Sequence, residues 1–110
     1  MSESMSMETS ERLAATFSAL ADPTRIRLVN AIFVGEQCVH DLSQMLGLEQ
    51  STVSHQLRLL RDRGLVRRRK DGRHAYYVLD DSHVKDLFAF AVEHARHTRK
   101  QGRKERARAR

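Results

Sequence analysis

Apolar residues recur along this chain with the period of a helix over most of its length and with a period of two over one short stretch. Leu13, Phe17 and Leu20, spaced i, i+4, i+7, predict a first helix beginning at Glu8. Asp22-Pro23 reads as an N-cap followed by proline at the first helical position. The helix it opens turns Ile26, Val29, Ile32 and Phe33 inward and stops at Gly35. A short third helix from about Cys38 to Met45 buries Val39, Leu42 and Leu46, and Gly47 ends it. The fourth spans Gln50 to Arg63, with Val53, Leu57 and Leu60 as its inward stripe and Gly64 as its stop. The period then becomes two over Leu65–Lys70 and Arg73–Leu79, and Asp71-Gly72 between them predicts a tight hairpin. A last helix starts near Asp81 or Ser82 and continues past His97.

These elements give the order ααααββα, mainly α with one small β-hairpin (α+β). Residues 1–7, small and polar, form a disordered N-terminal arm; residues 8–98 form one folded domain; residues 99–110 form a basic tail. Two helices joined by a short turn containing glycine, followed by a basic hairpin, describe a winged helix-turn-helix. With its apolar stripe buried, the fourth helix leaves Gln50, Ser51, Thr52, Ser54, His55 and Arg58 outside. Hydroxyls and an amide near a helix N-terminus suit phosphates and base edges. Arg67, Arg68, Arg69, Lys70 and Arg73 on the hairpin suit the backbone or the minor groove.

Charge sharpens this reading. Twenty Lys and Arg against 14 Asp and Glu give +6 overall. Residues 96–110 hold eight basic side chains and one acid, leaving residues 1–95 with twelve basic and thirteen acidic. Within those, residues 50–73 carry eight basic and two acidic side chains. The positive charge is thus two local patches, and the one over the fourth helix and hairpin coincides with the DNA-reading unit.

The run from Leu48 to Leu60 (Leu-Glu-Gln-Ser-Thr-Val-Ser-His-Gln-Leu-Arg-Leu-Leu), with Gly64-Leu65-Val66 and Gly72-Arg73-His74-Ala75-Tyr76-Tyr77, resembles the ArsR/SmtB family of bacterial metal-responsive repressors. So does Ala19-Leu20-Ala21-Asp22-Pro23-Thr24-Arg25-Ile26-Arg27, and the resemblance covers about residues 12–98. It implies a winged-helix homodimer, paired through its terminal helices. That dimer binds a palindromic double-stranded operator and leaves it when an effector binds, derepressing metal efflux or homeostasis genes.

Six histidines in so short a chain invite a metal reading. His55 lies on the DNA face and His74 opens the second wing strand, whereas Asp81, His83, His94 and His97 fall on or beside the last helix. On a regular helix His83 and His94 are only about 20° apart around the axis but about 16 Å apart along it, while zinc–nitrogen bonds are near 2 Å. One chain cannot close all four ligands on one ion; two antiparallel copies can, giving two equivalent sites per dimer. Leu87 and Phe90 share the histidine stripe, and Val84, Phe88, Ala91 and Ala95 form a second beside it, as a dimer seam requires. Asp80 and Glu93 are neighbouring carboxylates that compete as ligands.

The Asp-x-His-x10-His-x2-His pattern is similar to the family's sensing site on the C-terminal helix, and Asp81, His83, His94 and His97 match it position by position. The resemblance further implies a hydrogen bond from a metal-bound His94 to a backbone carbonyl near Gly64. Cys38-Val39-His40 stands where relatives sensing soft metals carry Cys-Val-Cys, so Cys38 and His40 are a weaker, secondary metal candidate. One carboxylate and three imidazoles suit tetrahedral Zn²⁺, then Co²⁺, then Ni²⁺.

Several classes are excluded. No apolar run reaches the ~20 residues of a membrane helix, and no signal segment follows Met1, so a cytoplasmic protein without a membrane partner is expected. A single cysteine excludes an intrachain disulfide. There is no nucleophile elbow, phosphate loop or His-Glu-x-x-His, so neither an enzyme nor a small organic substrate is expected. The alternative is a metal-independent winged-helix regulator or an architectural protein gripping DNA through its basic tail.

Overall fold

A computed structural model describes residues 4–108, with side chains described through Thr98. The order is α1 (Met7–Leu20), α2 (Pro23–Val34), α3 (Val39–Leu46), α4 (Gln50–Asp62), β1 (Val66–Asp71), β2 (His74–Leu79) and α5 (Ser82–Arg108). Residues up to Asp80 form one compact unit, and Asp81 onward forms a second.

Helix starts follow local chemistry. Ser6 Oγ accepts the Thr9 N–H at 3.1 Å, so Ser6 and Met7, expected in the arm, belong to α1 as its cap and first residue. Asp22 Oδ2 accepts the Arg25 N–H at 3.0 Å ahead of Pro23 at the start of α2. Gly47 closes α3 in the left-handed conformation (φ 66°), and Leu48 N–H donates to Ser43 O at 3.1 Å. Only Gly47, Leu48 and Glu49 separate α3 from α4, the short connection of a helix-turn-helix.

The core is built from Leu28, Val29, Ala31 and Ile32 of α2, Leu42 of α3, Val53, Leu57 and Leu60 of α4, and Leu65, Val66, Tyr77 and Leu79 of the wing. The α4 stripe falls as its spacing predicts. In α2, Leu28 takes an inward place, while Ile26 and Phe33, expected inside, are exposed. Leu28, Val29 and Ile32 line one side of that helix, and a stripe drawn through Ile26 and Phe33 is rotated off it. Leu13 and Phe17 of α1 are also exposed, Phe17 at 52%, leaving an apolar stripe that one chain does not cover.

The wing differs from its predicted turn by one residue. β1 and β2 pair antiparallel from Val66↔Leu79 to Asp71↔His74, so the two-residue loop is Gly72-Arg73. Among the described residues only glycines have positive φ, and Gly72 lies at φ 63°. Glycine first with an ordinary residue second is the type II′ pattern, whereas Asp-Gly at the centre of a type I′ turn needs a left-handed aspartate. Gln37 adds a single antiparallel bridge to the free edge of β2, with Tyr77 N–H to Gln37 O at 2.8 Å and Gln37 N–H to Tyr77 O at 3.3 Å.

In the second unit, α5 runs unbroken to Arg108. Residues 99–108, expected as a tail, continue the helix because they are mostly Arg, Lys, Gln, Glu and Ala, all favourable helix formers. Ala109, Arg110 and residues 1–3 lie outside the described residues.

Candidate nucleic-acid interface and metal ligands

With Val53, Leu57 and Leu60 fully buried, α4 presents Gln50, Ser51, Thr52, Ser54, His55 and Arg58 to solvent, each exposed. His55, Arg58, Leu59, Asp62 and Arg63 line an open cavity of about 440 Å³ on this helix. Gln50 is not wholly free: its Nε2 lies 3.3 Å from His40 Nδ1 of α3.

The wing sorts its cations by strand alternation. Arg67 and Arg69 share one face of β1, Arg68 and Lys70 the other. Arg67 Nε donates to Asp80 O at 3.2 Å. Arg69 lies 5.2 Å from the centre of its cross-strand partner Tyr76 and ends on Glu36, Nε to Oε1 at 3.2 Å and Nη2 to Oε2 at 2.6 Å. That forked contact holds the Glu36 carboxyl below its ordinary value, chiefly through the Arg69 hydrogen bonds. Arg69 therefore braces the wing to the α2–α3 connection. The side chains of Arg68 and Lys70 make no hydrogen bond or ion pair among the described residues and stand exposed with Arg73 at the loop.

Sequence reasoning missed Glu36 and Arg25. The Arg25 side chain reaches three acceptors on two other helices: Ala19 O at 2.6 Å, Ser18 O at 3.3 Å and Gln56 Oε1 at 3.3 Å. The visible signal for Arg25 was its place three residues after the Asp22 cap; for Glu36 there was none.

On the second unit, Asp81 caps α5, its Oδ1 accepting the Val84 N–H at 2.9 Å. That bond, ahead of the attraction of His83, keeps the Asp81 carboxyl below its ordinary value. The other oxygen, Oδ2, lies 3.7 Å from His83 Nδ1. His94 and His97, one turn apart, are exposed, and His94 Nε2 lies 3.4 Å from Thr98 Oγ1. Phe90 stands between the two pairs at 69% exposure. The unbroken helix keeps the Asp81–His83 pair about 16 Å from the His94–His97 pair along its axis. Among the described residues of one chain, no three His, Cys, Asp or Glu side chains gather into a metal cluster. Cys38 is the half-buried N-cap residue of α3 with no side-chain capping bond, and the His40 ring is turned to Gln50.

Four short helices, a three-residue turn and a braced hairpin place the protein among the winged helix-turn-helix DNA-binding regulators. The homodimeric winged helix-turn-helix domain of Mb0332 from Mycobacterium bovis, described as a possible ArsR-family regulator, superposes with a TM-score of 0.82 at 25% identity, covering 92% of this chain and 95% of that one. The sequence model of bacterial regulatory proteins of the arsR family matches residues 22–68. A transcriptional repressor SmtB homolog of Synechocystis sp. is 46% identical over 92 residues, 84% of this chain and 70% of that protein. The regulator NmtR of Mycobacterium tuberculosis is 43% identical over 86 residues, 78% of this chain and 72% of that protein. The solution structure of apo-NmtR matches with a TM-score of 0.73, covering 88% of this chain and 82% of that one. The chain belongs to the ArsR/SmtB family of metal-responsive transcriptional repressors, homodimeric winged-helix proteins that bind operator DNA and are not enzymes. No helix among the described residues is long and apolar enough to cross a membrane.

Proposed function

We propose that this protein is a cytoplasmic zinc-responsive repressor whose dimer binds a palindromic operator and releases it when zinc is held by Asp81 and His83 of one protomer with the partner's His94 and the partner's His97. The observation that carries the reading is the division of the ligands along α5. An ionised carboxylate and an imidazole sit together at its start, and two imidazoles a turn apart sit about 16 Å further on. Each pair is half of a tetrahedral donor set, and only a second copy supplies the other half.

Capping by Val84 N–H favours the metal-binding form of Asp81, since a carboxylate ligates only when ionised. The donor set has no thiolate, which favours Zn²⁺, then Co²⁺, then Ni²⁺. The relatives support a metal effector: one is named a cadmium resistance transcriptional regulatory protein and another a probable mercury resistance operon repressor. Bound in this set, zinc supplies a four-ligand cross-link between protomers. On the DNA side, Ser51, Thr52, Ser54, His55 and Arg58 face the major groove, and Arg68, Lys70 and Arg73 face phosphates.

The test is fluorescence anisotropy on a palindromic operator duplex titrated with Zn²⁺, Co²⁺, Ni²⁺ and Cd²⁺. Zinc is expected to weaken operator binding about 5- to 150-fold, the ordinary range of an allosteric coupling. His94→Ala and His97→Ala keep metal-free DNA binding and lose the zinc response. A variant that still releases DNA at the wild-type zinc concentration overturns the site; a wild-type protein indifferent to all four metals overturns the metal reading.

A further inference from the structure

The fully buried stripe of α4 selects the face that turns inward, and directional hydrogen bonds on its flanks define the roll of the helix more narrowly than apolar burial alone. At 100° per residue, Gln50 lies roughly 55° to one side of the centre of the Val53–Leu57–Leu60 stripe and Gln56 roughly 65° to the other. Each glutamine is hydrogen-bonded to a different helix. Gln50 Nε2 meets His40 Nδ1 of α3 at 3.3 Å, and Gln56 Oε1 accepts from Arg25 Nη1 of α2 at 3.3 Å. Directional bonds on both flanks narrow the roll that the apolar stripe sets.

The Arg25 bond reaches further than its partner. The same guanidinium donates through Nε to Ala19 O at 2.6 Å and through Nη2 to Ser18 O at 3.3 Å. These carbonyls belong to the last turn of α1, which has no basic residue of its own to offset its negative end. The backbone N–H of Arg25 is in turn held by Asp22 Oδ2 at 3.0 Å, so the planar fork is anchored at its root. We infer that Arg25 is a positioning residue for DNA recognition: it joins the C-terminal turn of α1 to Gln56 and so sets the angle at which α4 presents Ser51, Ser54, His55 and Arg58. Gln56 is half-buried and stands apart from that exposed face, so its variants leave every DNA-facing side chain chemically unchanged.

The inference rests on the family's DNA binding and is independent of the metal. The full chain, kept in chelator, is used to select a preferred duplex from a randomised double-stranded pool. Affinities are then compared for that duplex and for a scrambled one of equal length and composition, well below the melting midpoints of all variants. Gln56→Met removes the acceptor at similar volume and leaves the α1 bonds of Arg25 intact. It is expected to lower the ratio of selected to scrambled affinity about tenfold, the discrimination of one well-placed base contact, with scrambled-duplex affinity unchanged. Gln56→Glu keeps an acceptor, so both affinities fall together and the ratio stays at wild type. Arg25→Lys, which cannot serve three acceptors in a plane, lowers the ratio as Gln56→Met does, and the double variant falls no further. A Gln56→Met ratio within twofold of wild type, or losses that multiply in the double variant, overturns the proposal. Failure of the wild type to select any duplex overturns the recognition reading beneath it.

Discussion

Leu57 gives the sharpest test of how the recognition helix is held. It sits fully buried midway along the inward stripe of α4, with Val53 and Leu60 equally buried on either side. Leu57→Ala removes three carbons, worth about 2.4 kcal/mol at ~0.8 kcal/mol per buried methylene. The cavity left behind adds to this, and buried Leu→Ala changes elsewhere cost about 2.7–5 kcal/mol. The Gln50 and Gln56 bonds restrain α4 from collapsing into the gap, which places the expected loss at about 3–4 kcal/mol. Unfolding entropy near ~2.1 cal/mol/K per residue gives ~0.2 kcal/mol/K for the ordered chain, so the melting midpoint falls about 15–20 °C. The measurement is a circular dichroism melt at one fixed protein concentration, because a dimer's midpoint depends on concentration. Ser54→Ala, on the exposed face of the same helix, is the control and shifts the midpoint by less than about 3 °C. A Leu57→Ala shift under 5 °C, on the order of ~1 kcal/mol, refutes the packing assigned to α4.

Two further expectations follow from the turn and the wing. Gly47→Ala meets no atom within 4 Å of the added carbon, yet φ of 66° is left-handed, so it costs about 1–2 kcal/mol and lowers the melting midpoint without altering helix content. The Glu36 carboxyl is depressed below its ordinary 4.5, so its contribution to holding the wing is present above that value and is lost as pH falls through the lower folded value. Nuclear magnetic resonance of the Arg69 Nε–H should show the wing contact loosening only below about pH 4.5, and Glu36→Gln should abolish that transition; an unchanged profile in the variant refutes the assignment.

What the sequence disclosed was what local rules control. The Asp22 cap, the Gly47 stop and the 53/57/60 stripe each depend on neighbours within a turn or two, and each stands where its spacing puts it. The wing turn slipped by one residue because two turn types compete at Asp71-Gly72-Arg73, and the choice rests on which residues tolerate positive φ. The inward face of α2 was misdrawn because Ile26, Leu28, Val29, Ile32 and Phe33 leave few polar positions to mark its outer side, and tertiary packing selected the face. The long-range side-chain contacts of Arg25 and Glu36 are hidden from the sequence for a different reason. Their partners Gln56 and Arg69 lie 31 and 33 residues away, and no periodicity reports a contact of that range. The proposed ligand set is legible as a pattern because a helix converts sequence spacing directly into angle and rise, and its proposed closure would need a second chain.

The distribution of charge on the reading surface shows why a window of sequence is a poor measure of field. Residues 50–73 carry eight basic side chains and two acids, yet folding brings Glu36 onto Arg69 from outside that window and turns the Arg67 guanidinium to a backbone carbonyl. Two of the four consecutive cations of β1 are thereby engaged: Arg69 holds the hairpin to the α2–α3 connection, and Arg67 bonds within the wing to the residue that follows β2. The alternation of the strand decides which two, since Arg67 and Arg69 share a face and Arg68 and Lys70 take the other. A hairpin held by its own arginines presents its remaining cations at a fixed position, and a fixed cation loses less side-chain and backbone freedom on meeting a phosphate than one on a loose loop. In the proposed DNA interface, Arg67 and Arg69 would favour binding through the stiffness they give the wing, and Arg68 and Lys70 through the charge they leave free.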